Sequence, residues 1–273
     1  MTATIDPLPA SPTPYPDVNA LLAVLLERVR AVLGADLVGM YLFGSLSLGD
    51  FDPASSDVDV VVATARRLPE EKVAALGRVH GEIAASGLPW SGRLEGRYLP
   101  PDVLRRHQPG PARYPTIGID WGFGLGRVGP DWIVERHIVR ERGVVVWGQD
   151  PKFLIDPVSP DDLRRAVIEA ALDFWGEQLA GPEPEWLRTR EYQAFARLTM
   201  CRIHYTLERG AAASKPVAAA WAMAALPEWA PLIERALAWR HDHAPDDLTD
   251  TLRLVAYTVE RCQRAQFDLR TDR

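Results

Sequence analysis

The reading of this chain turns on Leu42-Phe43-Gly44-Ser45 and, after eleven intervening residues, Asp57-Val58-Asp59-Val60. Leu37–Phe43 reads as a buried strand ending in Gly-Ser. A loop rich in Gly, Asp, Pro and Ser follows, and Val58–Val62 reads as a second strand opened by two aspartates. Residues two apart in a strand project from one face, so Asp57 and Asp59 aim both carboxylates at one point. Such carboxylates repel unless a cation lies between them, and Mg²⁺ binds through a few carboxylates together with substrate phosphates. Gly44 lets the backbone approach a phosphate closely, and the Ser45 hydroxyl and amide can donate to it. Taken alone, Asp57 could cap a strand and Asp59 could be a surface charge. The Gly-Ser before them argues for a site, and so does Glu95 in a third strand candidate, Leu94–Leu99. Three carboxylates from neighbouring strands suit a pair of metal ions about 3.5–4 Å apart, the arrangement that clamps entering and leaving oxygens in phosphoryl transfer.

The 273 residues are 47% hydrophobic and 25% charged, which excludes wholesale disorder, collagen and coiled coil. With 31 basic and 37 acidic residues the formal charge is −6, which disfavours a nucleic-acid partner and suits a cationic one. Cys201 and Cys262 have neither CxxC nor zinc spacing, and no apolar run is long enough to span a membrane. The first residues lack the pattern of a signal peptide, so the expectation is a soluble, cytoplasmic protein.

Residues 1–16 carry prolines at 7, 9, 12, 14 and 16 and read as an extended, mobile tail. Asp17 looks like a helix N-cap, with apolar residues at helical spacing from Leu21 to Leu33 and Gly34 as the stop. Pro69–Ala85 and Asp131–Arg142 read as helices, and Thr116–Trp121 and Val144–Trp147 as strands. Beyond the proline-punctuated segment 148–160 the strand signals vanish. Pro160–Leu179, Glu191–Glu208, Pro216–Ala225, Pro231–His241 and Pro245–Gln266 all read as helices. Strands first and helices afterwards predict an α/β domain over 17–157 and an all-α domain over 158–273.

The pattern Gly44-Ser45…Asp57-x-Asp59…Glu95 resembles the signature of the polymerase-β-type nucleotidyltransferase superfamily. More narrowly, the chain is similar to the bacterial aminoglycoside adenylyltransferases that modify streptomycin and spectinomycin. The likeness runs from about Leu37 into the last helices, through Leu198-Thr-Met-Cys-Arg-Ile-His-Tyr205 and Lys215-Pro-Val-Ala-Ala-Ala-Trp-Ala-Met223. It implies a mixed sheet with flanking helices followed by a helical bundle. It also implies Mg²⁺ and ATP phosphates on Asp57 and Asp59, Glu95 as metal ligand and as base on the acceptor hydroxyl, and Gly44, Ser45 and Ser56 at the nucleotide. Arg202 and Lys215 would reach the triphosphate; as residues alone they read as a helix-surface charge and a helix-start residue. The acceptor would be a cationic aminoglycoside and the enzyme a monomer.

For the acceptor the resemblance offers Trp121, Trp175, Glu185 and Glu191. Trp175 aligns at the end of a helix, whereas Gly176–Glu191 is longer than in the family, and a solvated loop stands beside the acceptor reading. Trp121 is as much a core residue as an acceptor platform. Gly122-Phe-Gly-Leu-Gly126 reads as a loop rather than a dinucleotide fingerprint. Ser45-x-Ser47-x-Gly49 misses the nucleophile elbow, and His241 and His243 read as surface residues. Two other readings stay open: a nucleotidyltransferase acting on a protein side chain or RNA end, and a nucleotide-binding protein without turnover.

Overall fold

The computed structural model describes residues 11–106, 110–241 and 248–271. It divides into two compact units, Met1–Val128 with Glu135–Pro157, and Gly129–Val134 with Val158–Arg273. No described helix is long and apolar enough to cross a membrane.

The first unit is built on a six-stranded sheet. Its strands are β1 (Leu37–Leu42), β2 (Val58–Thr64), β3 (Leu94–Leu99), β4 (Arg113–Gly118), β5 (Gly122–Arg127) and β6 (Val144–Gly148), in the order β5-β4-β3-β2-β1-β6. The sheet is mixed: β2 and β3 run parallel and the other neighbours antiparallel. A parallel pair needs a crossover, and α3 (Glu70–Ala84) supplies it between β2 and β3. Together with α1 (Pro16–Leu33), α3 buries Leu21, Leu25, Leu76 and Ile83 in one core with Val58, Val60 and Val62 of β2 and Leu94 and Tyr98 of β3. Side chains alternate along a strand, so Asp59 and Glu95 are forced onto the opposite face of the sheet.

The structure corrects several expectations. The N-cap of α1 is Tyr15 rather than Asp17, because Pro16 takes the first helical position, where its missing N–H costs nothing. Residues 11–15 are fastened rather than mobile. The Thr13 amide and hydroxyl donate to Asn19 Oδ1 at 3.1 and 2.8 Å, and the Tyr15 ring packs 4.6 Å from that of Phe51. The start of the tail, 1–10, lies outside the described residues. The glycine-rich run expected as a loop is strand β5, where Phe123 and Leu125 alternate with glycines. A Cβ at Gly126 would come 2.8 Å from Thr116 Oγ1, and one at Gly124 would come 3.1 Å from the Trp121 ring, so the close neighbours require glycine there. Strand β4 ends at Gly118, and Trp121 lies in the turn beyond it instead of ending the strand. Two short helices, α2 (Gly44–Leu48) and α4 (Pro101–Arg105), occupy positions with no helical period long enough to read. Helix α5 (Asp131–Arg142) has the expected bounds.

The second unit is helical. Its first helix, α6 (Pro160–Ala170), starts with a capping box in which the Ser159 hydroxyl accepts from the Asp162 amide and Asp162 accepts in return. The single periodic run expected to Leu179 passes through a π turn, Ala171–Trp175, before α7 (Gly176–Ala180). Next come α8 (Arg190–Arg209), α9 (Lys215–Ala225), α10 (Ala230–Leu237) and α11 (Leu248–Thr271). Helix α8 is central, sharing one apolar cluster with α6 and α11 and another with α9 and α10. It carries a buried Arg197, whose guanidinium donates to Thr251 and Gln193 at 2.8 Å each. Both cysteines are buried thiols.

Candidate active site

The site is assembled at the end of β1 and the start of β2 and β3. The Phe43 amide donates to the Asp59 carbonyl at 3.1 Å, holding the end of β1 against β2. The chain then reverses at Gly44, which has φ +60°. A Cβ at Gly44 would overlap the Asp59 carboxylate, so this position requires glycine both for its backbone and for its neighbour. Ser45 follows in α2, half-buried, with its carbonyl accepting from the Gly49 and Asp50 amides at 3.1 Å each.

The loop between α2 and β2 is organised by Asp52. Its carboxylate accepts from the Ala54 amide at 2.9 Å and the Ser55 hydroxyl at 2.6 Å, while its own amide donates to Ser56 Oγ at 2.9 Å. Ser56 therefore fixes the loop that delivers Asp57 to the start of β2.

On β2 and β3, Asp59 and Glu95 are direct register partners, and Val58 faces Leu94. One residue earlier on each chain stand Asp57 and Arg93, joined by Arg93 Nε to Asp57 Oδ1 at 3.2 Å. Arg97, two residues beyond Glu95 on the same face, pairs with Glu135 of α5 at 3.3 Å. Glu95 has its carboxyl raised above the usual range, first by burial and then by the negative charge of Asp57. A hydrogen bond from the Ile119 amide and the charge of Arg97 oppose that rise, and Asp120 adds to it.

Asp120 was not legible as a neighbour of Glu95: it lies in the β4–β5 turn, and only the hairpin's placement brings Ile119 and Asp120 there. In the same turn Trp121 is 56% exposed, with its ring lying across Gly118 and Gly124. It is a surface aromatic rather than a core one.

Among the described residues no three His, Cys, Asp or Glu side chains close into a ready-made metal cage. The donor set is nonetheless all carboxylate oxygen, with Glu95 already sensing Asp57. This fits Mg²⁺, which keeps an incomplete protein shell and completes it with phosphate and water.

In the helical unit, Lys215 opens α9 with its ammonium 5.7 Å from the centre of the Phe195 ring on α8. Arg202 lies seven residues beyond Phe195, two turns along the same face of α8. Trp175 is only 4% exposed and belongs to the core of this unit, so it supports neighbouring side chains rather than offering its own ring to a ligand. The Gly176–Glu191 segment is not a solvated loop. Leu187 is buried, Trp186 Nε1 donates to Gln178 at 3.1 Å, and the Trp186 ring packs against Trp175 at 6.0 Å and Tyr192 at 5.4 Å. That anchoring leaves Glu185 and Glu191 exposed on an ordered surface. His241 is exposed, and His243 lies outside the described residues.

Two family profiles match separate parts of the chain. Residues 22–90 match the nucleotidyltransferase domain, and residues 153–264 match the C-terminal domain of aminoglycoside adenylyltransferase. By these two matches the chain resembles the aminoglycoside adenylyltransferases. The nucleotidyltransferase match covers Gly44, Ser45, Ser56, Asp57 and Asp59, and the C-terminal match covers Trp175, Glu185, Glu191, Arg202 and Lys215. Glu95 and Trp121 fall between the two.

Among relatives, the spectinomycin 9-adenylyltransferase of Staphylococcus aureus is 27% identical over 219 residues, covering 74% of this chain and 77% of its own. The aminoglycoside (3'') (9) adenylyltransferase of Klebsiella pneumoniae is 28% identical over 230 residues, covering 79% and 82%. The crystal structure of spectinomycin adenyltransferase AAD(9) from Enterococcus faecialis, solved with ATP and spectinomycin, superposes with a TM-score of 0.68. It covers 89% of this chain and 98% of that one at 18% identity, a likeness of fold.

Proposed function

We propose that this protein transfers AMP from ATP to a hydroxyl of an aminoglycoside-type antibiotic, with Mg²⁺, releasing pyrophosphate and inactivating the drug. The observation that carries the reading is the Asp59–Glu95 register pair, set against the Gly44 turn and two residues from Asp57. Names and activities of the relatives support the reaction class. Mg²⁺, when bound on Asp57 and Asp59, would neutralise phosphate charge.

The residues of the chain account for the remaining work. Gly44 and Ser45 offer amide and hydroxyl donors to the phosphates. Glu95, with its raised pKa, accepts the proton of the acceptor hydroxyl as that oxygen attacks the α-phosphorus. The bond from α-phosphorus to the bridging oxygen breaks, and pyrophosphate carries away the electron pair. Arg202 and Lys215 are assigned to triphosphate charge. Trp121, Glu185 and Glu191 are assigned to the cationic, sugar-rich acceptor, and Trp175, packed on Trp186, supports the segment that carries Glu185. Added AMP gives the drug bulk and negative charge, which oppose binding to RNA. The need for ATP supports a cytoplasmic workplace.

The deciding experiment incubates the protein with ATP, Mg²⁺ and a panel of aminoglycosides, following pyrophosphate release and the mass of each drug. A drug gaining one AMP per pyrophosphate supports the reading; a panel left wholly unmodified rejects the antibiotic as acceptor.

A further inference from the structure

Arg93 stands where the site's carboxylates begin. On the face of the β2–β3 pair opposite the α1–α3 core the rungs read Asp57 with Arg93, Asp59 with Glu95 and Val61 with Arg97. The Asp57–Arg93 rung is a single contact of 3.2 Å between side chains about one-third exposed, so water and solutes reach both. An ion pair in such a setting is weak and exchanges readily.

The backbone that presents Arg93 is unusual. Trp90 has φ +70°, the one described non-glycine residue in the left-handed region, and it caps the 3₁₀ turn Ser91–Arg93 leading into β3. A bulky residue is held there only when its surroundings over-determine it, and such strain collects at ligand clamps and switch regions. The surroundings are visible. The Trp90 ring packs 5.1 Å from Phe51, which packs on Tyr15, and the Arg93 guanidinium lies 5.7 Å from the centre of the Trp90 ring. A partly buried ring packed against the core thus forms a shelf for the guanidinium that pairs with Asp57.

We propose that Arg93 is a stand-in counter-ion and a nucleotide-positioning residue: it neutralises Asp57 in the empty site and transfers to the β- and γ-phosphates when Mg²⁺–ATP occupies Asp57. This inference rests on the AMP-transfer reading above. Charge bookkeeping favours the exchange. Asp57, Asp59 and Glu95 are three carboxylates on adjacent strands, and a resident cation lowers their repulsion until metal arrives. Once metal holds Asp57, the displaced guanidinium meets phosphate oxygens, for which its planar fork is well matched. The Trp90 shelf keeps the side chain at the site during the exchange. No bond to Arg93 is made or broken beyond ion pairing and hydrogen bonding.

The two halves of the proposal predict opposite effects from one substitution. Mn²⁺ binding, followed by electron paramagnetic resonance without nucleotide, should tighten roughly two- to fivefold in Arg93→Ala, because a competing cation is gone. ATP binding with Mg²⁺, followed by calorimetry, should weaken about tenfold or more, because a charge-assisted contact to phosphate is lost. Arg93→Lys should keep Mn²⁺ binding near wild type and recover part of the ATP affinity. Arg93→Gln serves for the same measurements if the alanine variant folds poorly by circular dichroism. Mn²⁺ affinity that is unchanged or weaker in the variants overturns the counter-ion role. ATP affinity that is unchanged or tighter overturns the phosphate role. Failure of the wild type to bind both Mn²⁺ and ATP removes the AMP-transfer reading and this inference with it. Normal binding of both with no antibiotic modified removes only the choice of acceptor.

Discussion

Asp59 and Glu95 face each other across the parallel β2–β3 pair, their side chains rising together from the sheet face opposite the α1–α3 core. Asp57 adds a third carboxylate whose charge Glu95 feels. Such a grouping is a poor way to stabilise a fold; under the proposed function its value lies in binding a cation and a reacting phosphate.

Asp57→Ala and Asp59→Ala should each abolish AMP transfer while leaving the fold intact. Removing one of several repelling carboxylates costs little, and the partly exposed Asp57–Arg93 pair is worth about 1 kcal/mol at most. Circular dichroism should match wild type while mass spectrometry detects no adenylylated drug. Near-wild-type turnover in both variants would show that the carboxylates do not hold the metal.

Glu95→Gln should bind Mg²⁺–ATP yet lose about 10²- to 10⁴-fold in kcat, since the amide cannot accept the hydroxyl proton. Calorimetry and steady-state rates on the modified drug separate the two effects. Lost ATP binding with high residual turnover would make Glu95 a structural residue.

Gly44 and Gly49 both have positive φ, +60° and +84°, but only Gly44 touches the site. A Cβ at Gly49 meets nothing within 4 Å. Gly49→Ala should cost about 1 kcal/mol of backbone strain and keep its activity. Gly44→Ala must also displace Asp59, so its activity should fall far more than its melting temperature. Equal losses of activity in the two variants would sever the turn from the site.

His80 gives the fold a pH dependence. Its Nε2 lies 2.7 Å from Tyr98 Oη and its ring stacks on Phe123 at 5.1 Å; burial lowers its pKa to about 4 from 6.5. The unfolded chain takes up a proton near pH 6.5 that the folded chain refuses until about pH 4, so stability falls as pH drops through that window. The loss is on the order of 3 kcal/mol for a shift of this size. Buried His204, also lowered to about 4, acts in the same direction. Melting temperatures between pH 7 and 4 should therefore fall steeply in wild type and less steeply in His80→Gln; parallel curves would assign the slope elsewhere.

Glu185→Gln and Glu191→Gln should raise the drug KM by about 10- to 100-fold while leaving ATP affinity alone, the worth of one charge-assisted hydrogen bond. Their contribution should shrink with added salt, because both groups are exposed. Calorimetric titration of the drug at low and high salt checks both statements. Unchanged KM in both variants would move the acceptor site off this surface.

The bounds of β3 and α5, the carboxylate trio and the separation of strand-rich from helix-rich halves were all legible in the sequence. These features rest on local periodicity, or on residue types whose chemistry shows at fixed spacing. Strand β5 was not legible, because alternating glycines look like a loop until the packing of Gly124 under Trp121 and Gly126 against Thr116 explains them. Trp121 and Trp175 carry the same residue name and opposite fates, one exposed in a turn and one sealed in a helical core, and only packing decides between them. The same holds for Asp120 and Arg93. Their positions beside Glu95 and Asp57 depend on strand register and on a hairpin folding back, contacts between residues far apart in the chain that no local pattern encodes. The sequence by itself determined which chemistry is present; tertiary structure decided which residues share it, because neighbourhood across a sheet is a property of register.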